Sequence, residues 1–109
     1  MYFILFIQPA MNLLTQELLK KLPPLGHSID TEDEPQAIVK WFTPDSNFTW
    51  YVAEYDPKTG QCFGLVDGFA KEFGYFNINE IKALRGPKPF CLPVERVWSF
   101  EPVNLNSLV

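Results

Sequence analysis

Histidine occurs once in the sequence, at His27, and cysteine twice, at Cys62 and Cys91. The cysteines form no CxxC pair, and a structural zinc centre needs four ligands where this chain has three scattered ones. No metal or other cofactor is therefore expected. A chain of 109 residues buries roughly two-thirds of its unfolded surface, which supports a core without disulfides. Cys62 and Cys91 read as half-buried thiols of a reducing compartment, with a bridge between them permitted but not required. No glycine-rich phosphate loop is present, since Gly60 and Gly64-Leu-Val-Asp-Gly68 match no such fingerprint. The apolar run over residues 2–7 lacks a basic lead-in and is shorter than a signal core, and far too short for a bilayer. Cations are scarce as well. Nine Lys and Arg stand against thirteen Asp and Glu, a net charge of −4 with a pI near 4.8. That balance argues against nonspecific nucleic-acid binding as the main task.

Apolar and aromatic residues are plentiful. Hydrophobic residues make up 47 % and aromatics 16 %, with ten Phe, three Trp and four Tyr, which excludes a disordered chain. The length suits one domain. Residues 1–10 read as an N-terminal extension, an extra strand where ordered, and residues 11–109 as a single α+β domain. Pro9 stops any regular element in the extension, and Met11 is a second candidate start. Asn12 or Thr15 is placed to cap a helix carrying Leu14, Leu18, Leu19 and Leu22, which Pro23-Pro24 ends. Residues 26–36, with the run Asp30-Thr-Glu32-Asp33-Glu34-Pro35, show no apolar period and predict a mobile loop.

From Ala37 the period becomes two. Strands are predicted over 37–42, 48–55, 61–66 and 69–76, separated by turn-forming Pro, Asp, Asn and Gly. Alternation sets Phe48, Trp50 and Val52 on one face of the second strand and Thr49, Tyr51, Ala53 and Tyr55 on the other. Gly64 and Gly68 suggest a bulge or a close backbone approach, and Gly74 a kink. Asn77-Ile-Asn-Glu80 has the form of a capping box, and Arg85-Gly86-Pro87 closes the helix it starts. A last strand is predicted over 94–100, with a tail from Pro102. The expected fold is α+β: a four- or five-stranded, mainly antiparallel sheet with two short helices.

The ordered series Phe42-Thr-Pro-Asp-Ser-Asn47, Thr49-Trp50-Tyr51, Phe63-Gly64-Leu65-Val66, Gly74-Tyr75-Phe76 and Leu84-Arg85-Gly86 is specific as a set. With Leu92-Pro93-Val94-Glu95-Arg96 and Phe100-Glu101-Pro102, it closely resembles the bacterial domain-of-unknown-function family numbered 2958. Leu13-Leu14-Thr15 and Leu22-Pro23-Pro24-Leu25 fit the start of that family, so the resemblance covers about residues 11–105. It implies a small stand-alone protein carried on plasmids, phages or integrative elements, often beside anti-restriction and conjugation genes. It carries over no catalytic residue. Phe48 stands where members often have Trp, and residues 1–10 have no counterpart.

Catalytic sets are weak. His27 lies in an unpatterned segment and is expected to be exposed, and neither cysteine has a neighbouring cation that would lower its pKa. Asp67, Glu95 or Glu101 with a divalent ion would make a small hydrolase or nuclease-like enzyme, the alternative reading. Eight acids against two cations lie between residues 30 and 67, whereas residues 71–101 carry five cations and four acids. One acidic side is expected: a solvated face in the plainer reading, a docking patch for a basic partner in the sharper one. The aromatic surplus favours the second. The leading expectation is a cytoplasmic, non-catalytic interaction module that binds an unidentified protein through Asp45, Trp50, Tyr51, Glu54 and Asp56. No membrane role follows from the sequence, and the N-terminal segment offers a route to self-association.

Overall fold

Between Val39 and Asn77 the alternation of apolar and polar residues becomes an antiparallel sheet in the computed structural model, which describes residues 12–109. The extension and extra strand expected over residues 1–10 lie outside the described residues. The chain runs α1 (Gln16–Lys21), α2 (His27–Thr31), β1 (Gln36–Ala37), β2 (Val39–Phe42), β3 (Thr49–Tyr55), β4 (Gln61–Asp67) and β5 (Lys71–Asn77). It continues through α3 (Ile78–Ala83), β6 (Glu95–Arg96), β7 (Val103–Asn104) and a 3₁₀ turn at Leu105–Leu108. Five strands form one sheet in the order β5-β4-β3-β2-β6, every neighbouring pair antiparallel, and β1 pairs separately with β7. The class is α+β in a single compact domain, with one helix more than expected.

One face of the sheet carries the main core. Trp41, Trp50, Val52 and Cys62 pack there with Leu13, Leu14, Ile78, Ile81 and Val94. Trp41 is fully buried, and its Nε1–H donates to the Leu13 carbonyl at 2.9 Å, which satisfies its polar edge. α1 starts at Thr15, whose side chain accepts from the Leu18 N–H, and lays Leu18, Leu19 and Leu22 over this core. α3 starts at Asn77, whose side chain accepts from the Asn79 N–H at 2.9 Å. Both caps are local, and both were expected.

The second face is covered by the C-terminal segment. Ala37, Ala53, Leu65 and Leu105 form a smaller core there, with Tyr51, Phe63, Phe100, Val103 and Leu108 packed on it. The expected tail from Pro102 is thus folded. Val103–Asn104 pairs with β1, the Leu105 N–H donates to the Pro35 carbonyl at 2.9 Å, and Leu105 is fully buried. The last strand is also shorter than expected: pairing with β2 covers Glu95–Arg96, extended by the Val97 N–H donating to the Lys40 carbonyl.

A register shift between Val52 and Glu54 changes which side chains share a face. Gly64 pairs with Val52 beside it, and a Cβ there would collide with the Tyr51 carbonyl, the close approach expected of this glycine. Past the bulge Tyr55 pairs with Cys62 and joins the main core, not the Tyr51 face to which strict alternation assigns it. Glu54 pairs with Phe63 on the second face. The kink expected at Gly74 is not present, because β5 pairs with β4 in unbroken register from Lys71 to Asn77.

The segment 26–36, expected to be a mobile loop, contains α2. That five-residue helix buries none of its residues and has no side-chain cap of its own. Glu54 supplies the cap from β3: its two carboxylate oxygens accept from the Gly26 and Ser28 N–H groups, each at 2.9 Å, and from the Ser28 hydroxyl. A partner 26 to 28 residues away leaves no local pattern in the sequence.

Candidate functional site

The five residues expected to form one binding face are not brought together. Trp50 is 6 % exposed and tilts against Phe48 in the main core. Glu54 is 3 % exposed and caps α2. Tyr51 lies on the other face, half-buried against Phe100, with the Lys40 ammonium 5.4 Å from its ring centroid. Asp45 is exposed in the β2–β3 turn, next to Gly86. Asp56 shapes the β3–β4 turn by accepting from the Lys58 N–H at 3.0 Å and the Thr59 hydroxyl at 2.9 Å. Alternation separates Trp50 from Tyr51 correctly, but the bulge and the cap on α2 bury Glu54 away from the other four.

Acids and aromatics do meet elsewhere. On the second face, beyond the edge of the C-terminal cover, β4 and β5 present Phe63, Phe73 and Tyr75 as a ladder of rings. Phe63 stacks on Phe73 with centroids 6.5 Å apart and lies 5.3 Å from Tyr75. Phe73 is 45 % exposed and Tyr75 60 %, so two adjacent rings of a regular strand face water. α2 adds Ile29, also exposed. Glu32, with φ at 60°, ends α2 in a left-handed conformation and turns the chain so that Glu32, Asp33 and Glu34 run beside the ladder. Asn104 holds Glu34 by a hydrogen bond from its Nδ2. Ile29, Glu32, Asp33, Glu34, Glu54, Phe63 and Tyr75 are among the residues that line a cleft of about 320 Å³, whose charged lining is entirely acidic.

Every one of these residues is visible in the sequence, and the acid run and the aromatic surplus were both singled out. The missing signal was adjacency. Period-two alternation places Phe73 and Tyr75 on one face of β5, but only the pairing of β4 with β5 and the tertiary cap on α2 bring the acids alongside.

The chemistry for catalysis is thin at these positions. Burial pushes the Cys62 thiol up to about 12, so its nucleophilic thiolate is suppressed. Tyr55 is raised as well, by burial first and then by Cys62 and Asp56. His27, expected to be exposed, is half-buried at the first position of α2. Asp67 and Glu95 stand in one cross-strand row through Thr49 and Phe42, three strand spacings or about 14 Å apart. Among the described residues no three His, Cys, Asp or Glu side chains are placed to hold a metal ion.

A second apolar patch lies at the end of the main-core face. Phe69 is fully exposed and stands edge-on to Phe48 at 5.3 Å, with Leu84 and Phe90 also exposed.

The family described as "Protein of unknown function (DUF2958)" matches residues 13–107, and the chain belongs to that family. No curated protein and no solved structure matches it.

Proposed function

We propose that this member of the DUF2958 family is a non-catalytic protein-interaction module whose docking surface is the acid-rimmed aromatic ladder of β4, β5 and α2. The observation that supports this reading is the water-facing ring of Tyr75, which lines one cleft with Glu32, Asp33 and Glu34, with the exposed ring of Phe73 two residues away on the same strand. Exposed aromatic rings flanked by charge make good anchors, because a partner that covers them gains apolar burial while the rim sets its sign. The partner is basic. Opposite charge across the rim and the protein's own net −4 speed encounter and reject acidic competitors. In this reading the protein works in the cytoplasm of a cell carrying a mobile genetic element. Among the described residues no helix is long and apolar enough to cross a membrane.

The test compares capture from nuclease-treated host lysate by the wild type, by Glu32→Lys/Asp33→Lys, and by Phe73→Ser/Tyr75→Ser. All substituted positions are exposed, so the fold should survive, and an unchanged melting temperature checks that it has. A basic protein held by the wild type and lost by both variants is the expected result. Equal capture by all three would remove this surface from the function.

A further inference from the structure

β5 is the outermost strand on its side of the sheet, with β4 as its only neighbour among the described residues. The two edges of this sheet are treated differently. β6 is cut to two residues, which blunts that edge. β5 runs for seven residues with no proline and no bulge, and its charges, Lys71 and Glu72, are confined to its first two positions. An edge of that kind offers a continuous row of backbone donors and acceptors. A Cβ at Gly74 would meet nothing within 4 Å, so among the described residues nothing covers that face of the strand at its middle. The same strand carries Tyr75 into the lining of the acidic cleft, with Phe73 two residues back on the same face.

We infer that β5 accepts an extended basic segment of a partner protein as an added sixth strand. This deepens the docking reading above, on which it rests, by naming the partner's conformation. Backbone hydrogen bonds along β5 supply affinity, and alternate side chains of the added strand supply selection. Those on the second face stand about 5 Å from Phe73 and Tyr75, where a Lys or Arg reaches the rings and then the acids. Charge identifies the occupant: every charged residue lining the cleft is Glu or Asp, so a basic segment gains there and an acidic one is repelled. A second copy is disfavoured on the same ground, since each copy carries a net −4 and would bring its own acidic loop to the joint.

The probe is the peptide Lys-Val-Lys-Val-Lys-Val-Lys-Val-Lys, titrated against the full chain at low salt. Its controls are the counterpart with Glu for every Lys and a Lys peptide with Pro at two central Val positions. The readouts are affinity and amide hydrogen exchange along β5. The Lys peptide should bind, slow exchange on β5 about tenfold, and lose about tenfold in affinity on Glu32→Lys/Asp33→Lys. The Glu and Pro peptides should bind at least about tenfold more weakly. Equal binding of the Pro peptide with unprotected β5 amides overturns strand addition, while continued sensitivity to Glu32→Lys/Asp33→Lys leaves the docking surface standing. Insensitivity to both the charge and the ring substitutions overturns both. Absence of binding at millimolar Lys peptide overturns strand addition. So does protection of β5 in the free protein, whether it arises from the chain's own N-terminal residues or from a dimer seen by sedimentation.

Discussion

Glu54 shows how one side chain serves both the fold and the site. A carboxylate that is 3 % exposed has lost its water, and the Gly26 and Ser28 groups replace it. Removing it leaves those donors unsatisfied and frees α2, which carries Ile29 and leads into Glu32. Glu54→Ala should destabilise the protein by about 3 kcal/mol and speed exchange of the Gly26 and Ser28 amides. A melting temperature equal to that of the wild type would contradict the assignment. Cys62 gives a pH dependence. Its folded-state pKa, about 12, lies above the ordinary 9.0, so the stability due to the neutral buried thiol is complete below pH 9.0 and is lost as pH rises towards 12. Tyr55 shifts in the same direction. Denaturant melts should show stability falling over that alkaline window, less steeply in Cys62→Ala; equal slopes would mean that the thiol does not contribute.

At the scale of elements, what could be read in the sequence was what is local. Thr15 and Asn77 cap helices through groups two or three residues away, and both were identifiable. β3, β4 and β5 follow apolar alternation within a residue or two of the expected limits. α2 was not legible, because its cap comes from another strand, and neither was β7, whose two residues have no period to detect. Strict alternation puts Tyr55 on the wrong face because one extra residue at the bulge inverts everything after it. The site was half legible for the same reason. The acids and rings are recognisable, but a segment without an apolar period cannot be set against β5 from sequence, and the expected site rests on Asp45, Glu54 and Asp56 instead. The glycines of paired strands give a clean contrast. Gly64→Ala drives a methyl into the Tyr51 carbonyl and should cost about 3 kcal/mol, whereas Gly74→Ala meets nothing and should leave the melting temperature unchanged or higher. Similar effects at the two positions would contradict the described pairing.

Across the whole molecule the charge asymmetry seen in the sequence narrows to a point. Of the eight acids between residues 30 and 67, Glu54 is buried, Asp56 braces a turn and Asp45 sits in the β2–β3 turn beside Gly86, while Glu32, Asp33 and Glu34 line one cleft. Beside the Phe73–Tyr75 ladder, exposed aromatic rings also stand at Phe69, Phe90 and Trp98. The ladder adjoins a cleft whose charged lining is Glu and Asp alone. The decisive measurement is a hydrogen-exchange footprint of the full chain with and without its captured partner. Protection confined to β5, α2 and the 32–34 loop is the predicted result. Protection centred on Phe69, Leu84 and Phe90, with β5 unchanged, would contradict the account.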